Sequence, residues 1–588
     1  MENQLRKLGF ALDWSKKKFT LDEDTMIIVY KTFKKMFDEG LIYRDNRLVN
    51  YCTHCGTSFS DLEVNHVERV DPLYYMKYGP FTLATVRPET KFGDTAVVVN
   101  PKDKRYAQWI GKDVEVEGLN GAFKLKVIAD DVVDPEFGTG VMKVTPAHDF
   151  NDFEIAKRHN LEFKQTINFE GRLTAVAGKY EGLKVAKARE LVVADLTKRG
   201  LMAKVDNDYI HVVSTCYKCA RTLEPMLMPQ WFVKVKPLTE NAVKAIKSKK
   251  ISFTPKRFEK IAIDWLTNFH DWNISRQIVW GIRIPAYRCM KDEEWFVSVE
   301  KPKKCEICGD CDFEQDTDTF DTWFSSGQWP FATLMSCSSE KLKVQSEKLD
   351  DNSFFNYFYP TSVMETGYDI LPWWVCRMIM LGLYATEKVP FKEVYLHGLV
   401  RDSKGQKMSK SKGNVVNPLT MVDKYGADAL RASLIFEVGA GVDQRFSEDK
   451  VRGMRNFANK IWNIGRFVYT NLPQVQSSKF KVQNDNSKQK ETMDELTNEF
   501  QKIEKEYHLQ MEKHQYSQAF GLTYEFVWHR LADHYIEKLK EEVKNGNISV
   551  LKVLEEVLLK SLVLLHPFVP FVTDSVHHKF KNKYILEN

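Results

Sequence analysis

The sequence predicts an α/β protein in which a β-rich block interrupts the mixed part and a helical region follows it. Between residues 64 and 213, short strand-like runs such as "TAVVV", "DVEVEG" and "FKLKVIA" succeed one another, with turn signals at Gly79-Pro80 and at Leu119-Asn120-Gly121. Residues 214–420 mix strand and helix patterns. Residues 425–588 carry helical runs such as "MRNFANKIWNIGRFVY".

These patterns divide the chain into four predicted parts, which are residues 1–63, 64–213, 214–424 and 425–588. Residues 1–50 are expected to be mainly helical, with a helix start at Asp22-Glu23-Asp24, because acidic side chains favour the first turn of a helix. The stretch "LPWWVCRMIMLGLYA", residues 371–385, is too short to cross a bilayer and contains Arg377. It therefore predicts a buried helix, and no membrane partner is expected.

Composition sets only wide limits on function. Hydrophobic residues make up 43 % and charged residues 28 % of 588, which is typical of globular proteins. The formal net charge of +5 neither demands nor excludes a nucleic-acid partner. The N-terminus lacks the apolar run of a secretory signal. Together with cysteine spacings that favour metal over disulfides, this predicts a reducing, cytoplasmic location.

Two groups of cysteines have spacings typical of metal sites. Cys52-x-x-Cys55 and Cys216-x-x-Cys219 together offer four thiolates, which suits a tetrahedral structural zinc ion that joins the two ends of the β-rich block. The second group is less regular and consists of Cys289, Cys305, Cys308 and Cys311, with Asp292 where a further cysteine would be expected. One or two zinc ions are therefore predicted. The alternative is reduced, unpaired thiols.

A lysine-rich loop, "RDSKGQKMSKSKGN" (401–414), follows a predicted buried strand at 391–400. Lysines on a mobile loop can stabilise negative charge on a transferring phosphate, although most such loops are only solvated turns. The string Lys407-Met408-Ser409-Lys410-Ser411 resembles the KMSKS signature of class I aminoacyl-tRNA synthetases. The resemblance implies that these five residues bind ATP with Mg²⁺ and that Lys407 and Lys410 are catalytic.

Longer stretches narrow the resemblance to the valyl-tRNA synthetase family, with isoleucyl-tRNA synthetases as the nearest competitor. They include "DTFDTWFSSGQWPF", "TGYDILPWWVCRM" and "DWNISRQIVWGIRIPAY". The resemblance implies a connective segment with the first zinc half-site at 1–63 and an editing domain at 64–213. It further implies the C-terminal half of a Rossmann-like nucleotide-binding domain at 214–424 and a helical anticodon-binding domain at 425–588. The implied partners are valine, ATP and tRNA(Val).

Three residues are candidates for an amino-acid pocket. Ile370 and Trp374 are four apart, so a helix would put them on one face, and Trp323 would supply a second flat wall. Without the resemblance, ordinary core packing would be the better interpretation. Asn273 and Ile282 stand where the family usually has cysteine and histidine.

The motifs "TVRPET" (85–90) and "GTGVMKVTPAHDFNDFE" (138–154) match the family's hydrolytic editing site. By the resemblance, the editing residues are Thr85, Arg87, Glu89, Lys143, Thr145 and Asp152. Lys143 and Thr145 alternate along a strand and so face the same side. Asp152 would bind the substrate's α-ammonium group, and Thr85, Arg87 and Glu89 would line the opposite wall. The alternative for Asp149 or Asp152 is a helix cap, and His148 is equally compatible with a structural role.

The sequence contains no His-x-x-His-like signature of the kind that the family pairs with its lysine loop. We therefore expect a separate N-terminal segment to carry that element, and no C-terminal coiled coil is expected within the chain. Three functions fit: a fragment or split subunit of a valine–tRNA ligase, a stand-alone editing hydrolase, or a tRNA-binding protein. The first is favoured because the lysine loop and the pocket motif are both present. Activation of valine by this chain alone is not expected.

Overall fold

The computed structural model describes residues 2–309, 312–336, 353–409, 413–477 and 487–587. The first elements are α1 (Glu2–Lys7), α2 (Glu23–Asp38), β1 (Ile42–Cys52) and β2 (Thr57–Phe59). Helix α2 begins directly after Asp22, as predicted. The expectation of helix as far as residue 50 was wrong, because residues 42–51 pair along their whole length with a later strand. That pairing buries Leu48, Val49 and Tyr51 and outweighs local helix preference.

The β-rich block forms two sheets with two helices. Its strands are β3 (Val64–Tyr78), β4 (Phe81–Thr85), β5 (Ala96–Val99), β6 (Asp113–Gly118), β7 (Gly121–Ala129), β8 (Val141–Val144) and β9 (Met202–Cys216), and its helices are α3 (Phe150–His159) and α4 (Val185–Lys198). The strand orders are β4-β3-β9 and β6-β7-β5-β8. Both predicted turns are confirmed, since Tyr78 pairs with Phe81 and Gly118 with Gly121.

The two long strands β3 and β9 form an antiparallel ribbon that carries the block. Their pairing runs from Val64 opposite Cys216 to Met76 opposite Met202. At the far end of the ribbon, Met76, Tyr78 and Leu83 enter a core shared with the second sheet and α4. The block therefore has a hydrophobic core of its own.

The mixed region follows. Its strands are β10 (Glu224–Val233), β11 (Ser252–Thr254), β12 (Trp272–Asn273), β13 (Ser275–Arg276), β14 (Ala286–Cys289), β15 (Trp295–Val297), β16 (Phe313–Gln315), β17 (Thr319–Phe320), β18 (Thr361–Gly367) and β19 (Phe391–His397). Its helices are α5 (Lys236–Lys247), α6 (Arg257–Thr267), α7 (Thr322–Ser326), α8 (Trp329–Ser336), α9 (Ser353–Phe358) and α10 (Cys376–Thr386). Strands β11, β19 and β18 form a parallel sheet in that order.

The predicted buried helix at 371–385 is confirmed as a π-helical turn (Leu371–Val375) that continues into α10. Arg377 has no exposed surface, and its guanidinium lies 4.2 Å from the ring centroid of Trp272. The charge is thus held within the core by an aromatic face. Within the part of the chain that the structure describes, no helix is both long and apolar enough to cross a membrane.

The last region is helical, apart from the short parallel pair β20 (Val400–Arg401) and β21 (Gln444–Arg445). The helices are α11 (Pro418–Tyr425), α12 (Ala427–Ile435), α13 (Glu448–Ser477), α14 (Ser487–Glu512), α15 (Tyr516–Glu525), a π-helical segment (Phe526–Ile536), α16 (Glu537–Lys544), α17 (Ile548–Leu565) and α18 (Pro570–Lys581). They share one core, which includes Phe457, Phe520 and Leu558.

Candidate active sites and metal centre

The lysine loop is fixed at its base by two polar side chains. Asp402 accepts hydrogen bonds from the backbone of Gln406 at 2.7 Å and from Asn414 Nδ2 at 2.8 Å. Asn414 Oδ1 in turn accepts from the backbone N–H of Ser409 at 2.9 Å. These contacts close the loop, although the two lysines of the loop that the structure describes, Lys404 and Lys407, face solvent. Lys410 and Ser411 lie outside the described residues.

The root of the loop is tied to the strand ends beside it. Asp443 accepts from the backbone of Leu399 at 2.8 Å, from Arg401 Nε at 2.5 Å and from the Tyr368 hydroxyl at 3.0 Å. Burial opposes ionisation of Asp443, but these hydrogen bonds outweigh it and lower the pKa of the carboxyl. Gly398 is needed here, because a Cβ at this position would lie 1.9 Å from the carbonyl oxygen of Val442.

Lys407 reaches from the loop to the segment that carries the predicted amino-acid pocket. Its Nζ lies 3.0 Å from Asp369 Oδ2, and the Lys407 side chain is 63 % exposed. Asp369 directly precedes Ile370. The contact brings the lysine loop and the predicted pocket together in space, and an exposed pair of this kind adds little stability.

The three predicted pocket residues are partly buried, but their local structure differs from the expected regular helix. Ile370 ends a 3₁₀ turn (Tyr368–Ile370), and Trp374 lies in the π-helical turn that follows. The spacing argument for one α-helical face therefore does not apply. Trp374 Nε1 instead donates to the carbonyl of Ser326 at 2.9 Å, which holds its indole against α7. Trp323 of α7 packs beside Trp373, with ring centroids 5.9 Å apart.

The two residues that differ from the usual family motif, Asn273 and Ile282, are buried. Asn273 is 6 % and Ile282 is 3 % exposed. Asn273 Oδ1 accepts from the backbone of Ser275 at 3.0 Å. Both side chains thus contribute to the packing and hydrogen bonding of the region.

In the β-rich block, a buried carboxylate organises the predicted editing residues. Asp94 has no exposed side-chain surface and receives hydrogen bonds from Thr145 Oγ1 at 2.6 Å and from the Tyr78 hydroxyl. Lys143 Nζ lies 3.2 Å from Asp94 Oδ1 and also contacts Thr145 Oγ1. Lys143 and Thr145 therefore do face the same side. Asp94 balances the buried ammonium charge.

Arg87 is held from two sides. Its guanidinium donates to Glu224 Oε2 at 2.5 Å and to Glu89 Oε1 at 3.3 Å. The backbone N–H of Arg87 donates to Thr85 Oγ1 at 3.0 Å. The expectation that Glu89 lines a wall was wrong, because this residue is 0 % exposed and both its oxygens accept from Arg189 at 2.8 Å. Burial opposes its ionisation, yet the two arginines outweigh burial and lower the pKa of Glu89. Glu89 positions Arg87 from behind.

The helix-cap alternative applies to Asp149. Its carboxylate accepts from the backbone N–H groups of Asn151 and Asp152 at the start of α3. Asp152 Oδ2 instead accepts from the backbone of Thr145 at 2.7 Å. Burial, and then the charge of Asp149, raise the pKa of Asp152 to about 7. Asp152 is thus a buried carboxyl whose charge changes near neutral pH.

His148 is buried, and backbone groups surround its ring. Burial, followed by the charge of Arg87, lowers the pKa of His148 to about 3, so the ring is neutral. Its Nε2 accepts from the backbone of Thr166 at 2.8 Å and of Ile167 at 3.2 Å, while Nδ1 lies 3.3 Å from the carbonyl oxygen of Pro225. Both ring nitrogens are therefore engaged with backbone groups.

The four cysteines of the first group converge. The Sγ atoms of Cys52 and Cys219 are 3.6 Å apart, and those of Cys55 and Cys216 are 3.9 Å apart. Tetrahedral zinc with Zn–S bonds of about 2.3 Å requires sulfur separations of about 3.8 Å. All four sulfurs lie within 4.8 Å of one another. The geometry therefore fits a zinc ion and is too open for disulfides.

The second group also converges, but with a different fourth member. Cys289, Cys305 and Cys308 gather around Asp292, with the four ligand atoms within 4.8 Å of one another. Cys311, which was predicted as a ligand, lies outside the described residues.

Two family models match this chain. One describes "tRNA synthetases class I (I, L, M and V)" and matches residues 1–447, and the other describes the "Anticodon-binding domain of tRNA ligase" and matches residues 494–588. The chain therefore belongs to the class I tRNA synthetases of the isoleucine, leucine, methionine and valine group. The predicted fold class, a synthetase catalytic domain followed by a helical anticodon-binding domain, is confirmed.

Among curated relatives, the valine–tRNA ligase of Syntrophotalea carbinolica is 42 % identical over 585 residues, which are 98 % of this chain and 63 % of the relative. The enzyme of the same name from Clostridium tetani is 43 % identical over 98 % of this chain and 64 % of the relative. The chain thus spans less than two thirds of the length of these relatives.

Solved structures with the same fold are more distant in sequence. A LeuRS–tRNA–LeuAMS ternary complex from Agrobacterium radiobacter matches with a TM-score of 0.53 at 18 % identity, covering 98 % of this chain and 76 % of that one. Mycobacterium tuberculosis methionyl-tRNA synthetase bound by methionyl-adenylate gives 0.55 at 13 % identity, covering 98 % and 78 %. These likenesses concern the fold alone.

The sequence analysis assigned no role to four acidic residues of these sites: Asp94, Glu224, Asp292 and Asp369. Asp369 and Asp292 lie in segments that the sequence had already singled out, one beside Ile370 and the other where a cysteine was expected. Asp94 and Glu224 lie outside the two editing motifs. No spacing rule connects either of them to Lys143 or Arg87.

The raised pKa of Asp152 predicts a pH-dependent stability. Because the folded pKa of about 7 exceeds the ordinary value of 3.8, the carboxyl contributes stability below pH 3.8 that is lost as the pH rises through 7. The Asp152→Asn variant has no such charge, and its amide oxygen still accepts from Thr145. Thermal melts at pH 5 and pH 8 should show that, relative to the native protein, the free energy of unfolding of Asp152→Asn increases by more than about 1 kcal/mol between the two pH values.

The control for this measurement is Asp131→Asn, which removes a carboxylate whose side chain is 74 % exposed. The difference in free energy of unfolding between Asp131→Asn and the native protein should be the same at the two pH values. A constant offset for Asp152→Asn would show that Asp152 titrates like a solvent-exposed carboxyl.

Proposed function

We propose that this chain is the greater part of a valine–tRNA ligase, which attaches valine to tRNA(Val) with ATP and Mg²⁺ and hydrolyses mischarged threonyl-tRNA(Val). The observation that carries the proposal is the contact of Lys407 with Asp369, which joins the lysine loop to the segment of the proposed valine pocket. The 42–43 % identity to valine–tRNA ligases over nearly the whole chain favours valine over the other members of the group.

In the proposed synthetic site, residues 407–411 bind the phosphates of ATP, and Lys407 and Lys410 stabilise the charge that develops during adenylate formation. Lys407 is exposed, and its ion-pair partner among the described residues is a partly exposed carboxylate, which a phosphate could replace. Trp323, Ile370 and Trp374 form the walls of the proposed valine pocket. The bond from Trp374 to Ser326 makes one wall rigid.

We further propose that a segment outside these 588 residues completes the nucleotide-binding sheet, either as part of the same polypeptide or as a separate chain. Among the described strands, β18 pairs only with β19. Within β18, the residues Ser362, Val363 and Glu365 are exposed. Unpaired edges of parallel sheets are usually covered, and another strand along β18 would cover this one.

The proposed editing site lies in the β-rich block and uses Thr85, Arg87, Lys143, Thr145 and Asp152. An apolar pocket cannot strongly reject an isostere that adds only a hydroxyl, so valine-selecting enzymes require a second site for threonine. Asp152 is proposed to bind the substrate ammonium, which would favour its charged form. Arg87, partly exposed and held by Glu224 and Glu89, is proposed to meet the terminal nucleotide of the tRNA.

The proposal for the rest of the chain follows the same comparison. Helix α13 exposes Arg452, Arg455 and Arg466, which are proposed to contact the tRNA backbone. The four-cysteine cluster is proposed to hold structural zinc. The cysteines of the described residues form no disulfides, which favours a cytoplasmic location.

Valine-dependent ATP–pyrophosphate exchange tests the synthetic function. The chain should catalyse it only when a segment of a relative that carries the His-x-x-His-like signature is supplied. Lys407→Ala should then lower the rate by about 100-fold, the usual effect of removing a group that stabilises transition-state charge.

Lys404→Ala is the matched control, because it removes a lysine from the same loop without touching the Asp369 contact. Equal losses in the two variants, or a faster exchange with isoleucine than with valine, would overturn the proposal.

Deacylation of threonyl-tRNA(Val) tests the editing function with residues that all lie in this chain. The chain should hydrolyse it and spare valyl-tRNA(Val). Asp152→Ala should reduce the rate by roughly ten- to one-hundred-fold, because a charge-assisted hydrogen bond is worth about 1.5–3 kcal/mol.

Glu154→Ala, which removes an exposed carboxylate of the same helix, should leave the rate unchanged. If Asp152→Ala lowers the melting temperature but hydrolyses at the native rate while folded, Asp152 only holds Thr145 in place.

A further inference from the structure

The second cysteine group forms a compact knuckle between three short strands. Cys289 ends β14, Asp292 lies in the turn towards β15, and Cys305 and Cys308 precede β16. Cys289 is 0 % and Cys305 is 1 % exposed. Tyr287, Phe296 and Phe313 pack around them. The ligand atoms therefore meet in an apolar setting, where unpaired polar groups are costly.

The carboxylate of Asp292 is oriented towards this group by its own turn. Oδ1 accepts from the backbone N–H of Glu294 at 3.0 Å. Oδ2 then lies 2.9 Å from Cys305 Sγ. The sulfurs of Cys289 and Cys308 are 3.5 Å apart. One oxygen of Asp292 thus stabilises the turn, and the other points towards the sulfurs.

The sulfur–sulfur separation of 3.5 Å is close to that of a tetrahedral site, whereas the sulfur–oxygen separation of 2.9 Å is that of a hydrogen bond and would lengthen when an ion binds. Bond lengths of about 2.3 Å to sulfur and about 2.0 Å to oxygen give edges of about 3.8 Å between sulfurs and about 3.5 Å between sulfur and oxygen. Backbone N–H groups of Ile307 and Cys308 also point at Cys305 Sγ, at 3.4 and 3.5 Å. Such donors stabilise a thiolate over a thiol, which is the form that binds metal.

We propose that this knuckle is a zinc site of three thiolates and one carboxylate, in which Asp292 takes the place that the sequence pattern gave to Cys311. The site needs only the four side chains that the structure brings together, and it does not depend on the proposed aminoacylation. A carboxylate is a harder donor than a thiolate and suits zinc less well. The ion here should therefore be lost to a chelator before the ion of the four-cysteine cluster.

Metal content of the full 588-residue chain, purified with zinc, tests the proposal. The native chain should hold one ion at each of the two clusters. Asp292→Ala should lose one of them, whereas Cys311→Ser should keep both. Glu294→Gln, which removes an exposed carboxylate of the same turn and leaves its backbone N–H, should also keep both.

Cobalt substitution provides a second measurement that does not rely on loss of the ion. Asp292→Cys should retain both ions, resist chelator longer than the native chain and increase the thiolate-to-cobalt charge-transfer absorption by one ligand's share. Loss of an ion from Cys311→Ser but not from Asp292→Ala would assign Cys311 instead. An unchanged absorption in Asp292→Cys, or a native chain with a single ion, would also overturn the proposal.

Discussion

The arrangement of the molecule depends on one constraint. The chain passes twice between the β-rich block and the region that contains β1 and β10, which we call the catalytic body. Both crossings meet at four cysteines. Cys52 ends β1 and Cys216 ends β9, and each begins a turn that returns a second sulfur, from Cys55 and Cys219, to the same point. On one side of this point β1 pairs with β10, and on the other side β3 pairs with β9. A metal ion bound by these four sulfurs would fix both pairs of strands at once.

This constraint also relates the two proposed sites to each other. Strand β10 pairs with β1 in the catalytic body, and its first residues reach the cluster of proposed editing residues. Glu224 binds Arg87 at 2.5 Å, and the carbonyl of Pro225 lies 3.3 Å from His148 Nδ1. The proposed editing residues are therefore not supported by their own block alone. Part of their support comes from β10, which pairs with β1 in the catalytic body.

The sequence predicted elements well where local pattern and tertiary context agree. The turns at 79–80 and 119–121, the buried helix at 371–385 and the helical C-terminal region are of this kind. It failed where long-range pairing decides, as for β1, and where backbone geometry departs from the regular helix, as between Ile370 and Trp374. Motifs identified Lys143, Thr145 and Arg87, but not the buried acids that balance them, because Asp94 and Glu224 are close to those residues only in the folded chain.

The role of the four-cysteine cluster is tested most directly by hydrogen exchange of backbone amides in the zinc-loaded chain, with the native protein compared with Cys216→Ala. The account predicts faster exchange at the base of the ribbon, where Val64 faces Cys216, and at Glu224 and the strand end around it, while helix α17 stays unchanged. Unaltered exchange at the ribbon base, or an equal acceleration that extends through α17, would contradict the view that this cluster holds the β-rich block on the catalytic body.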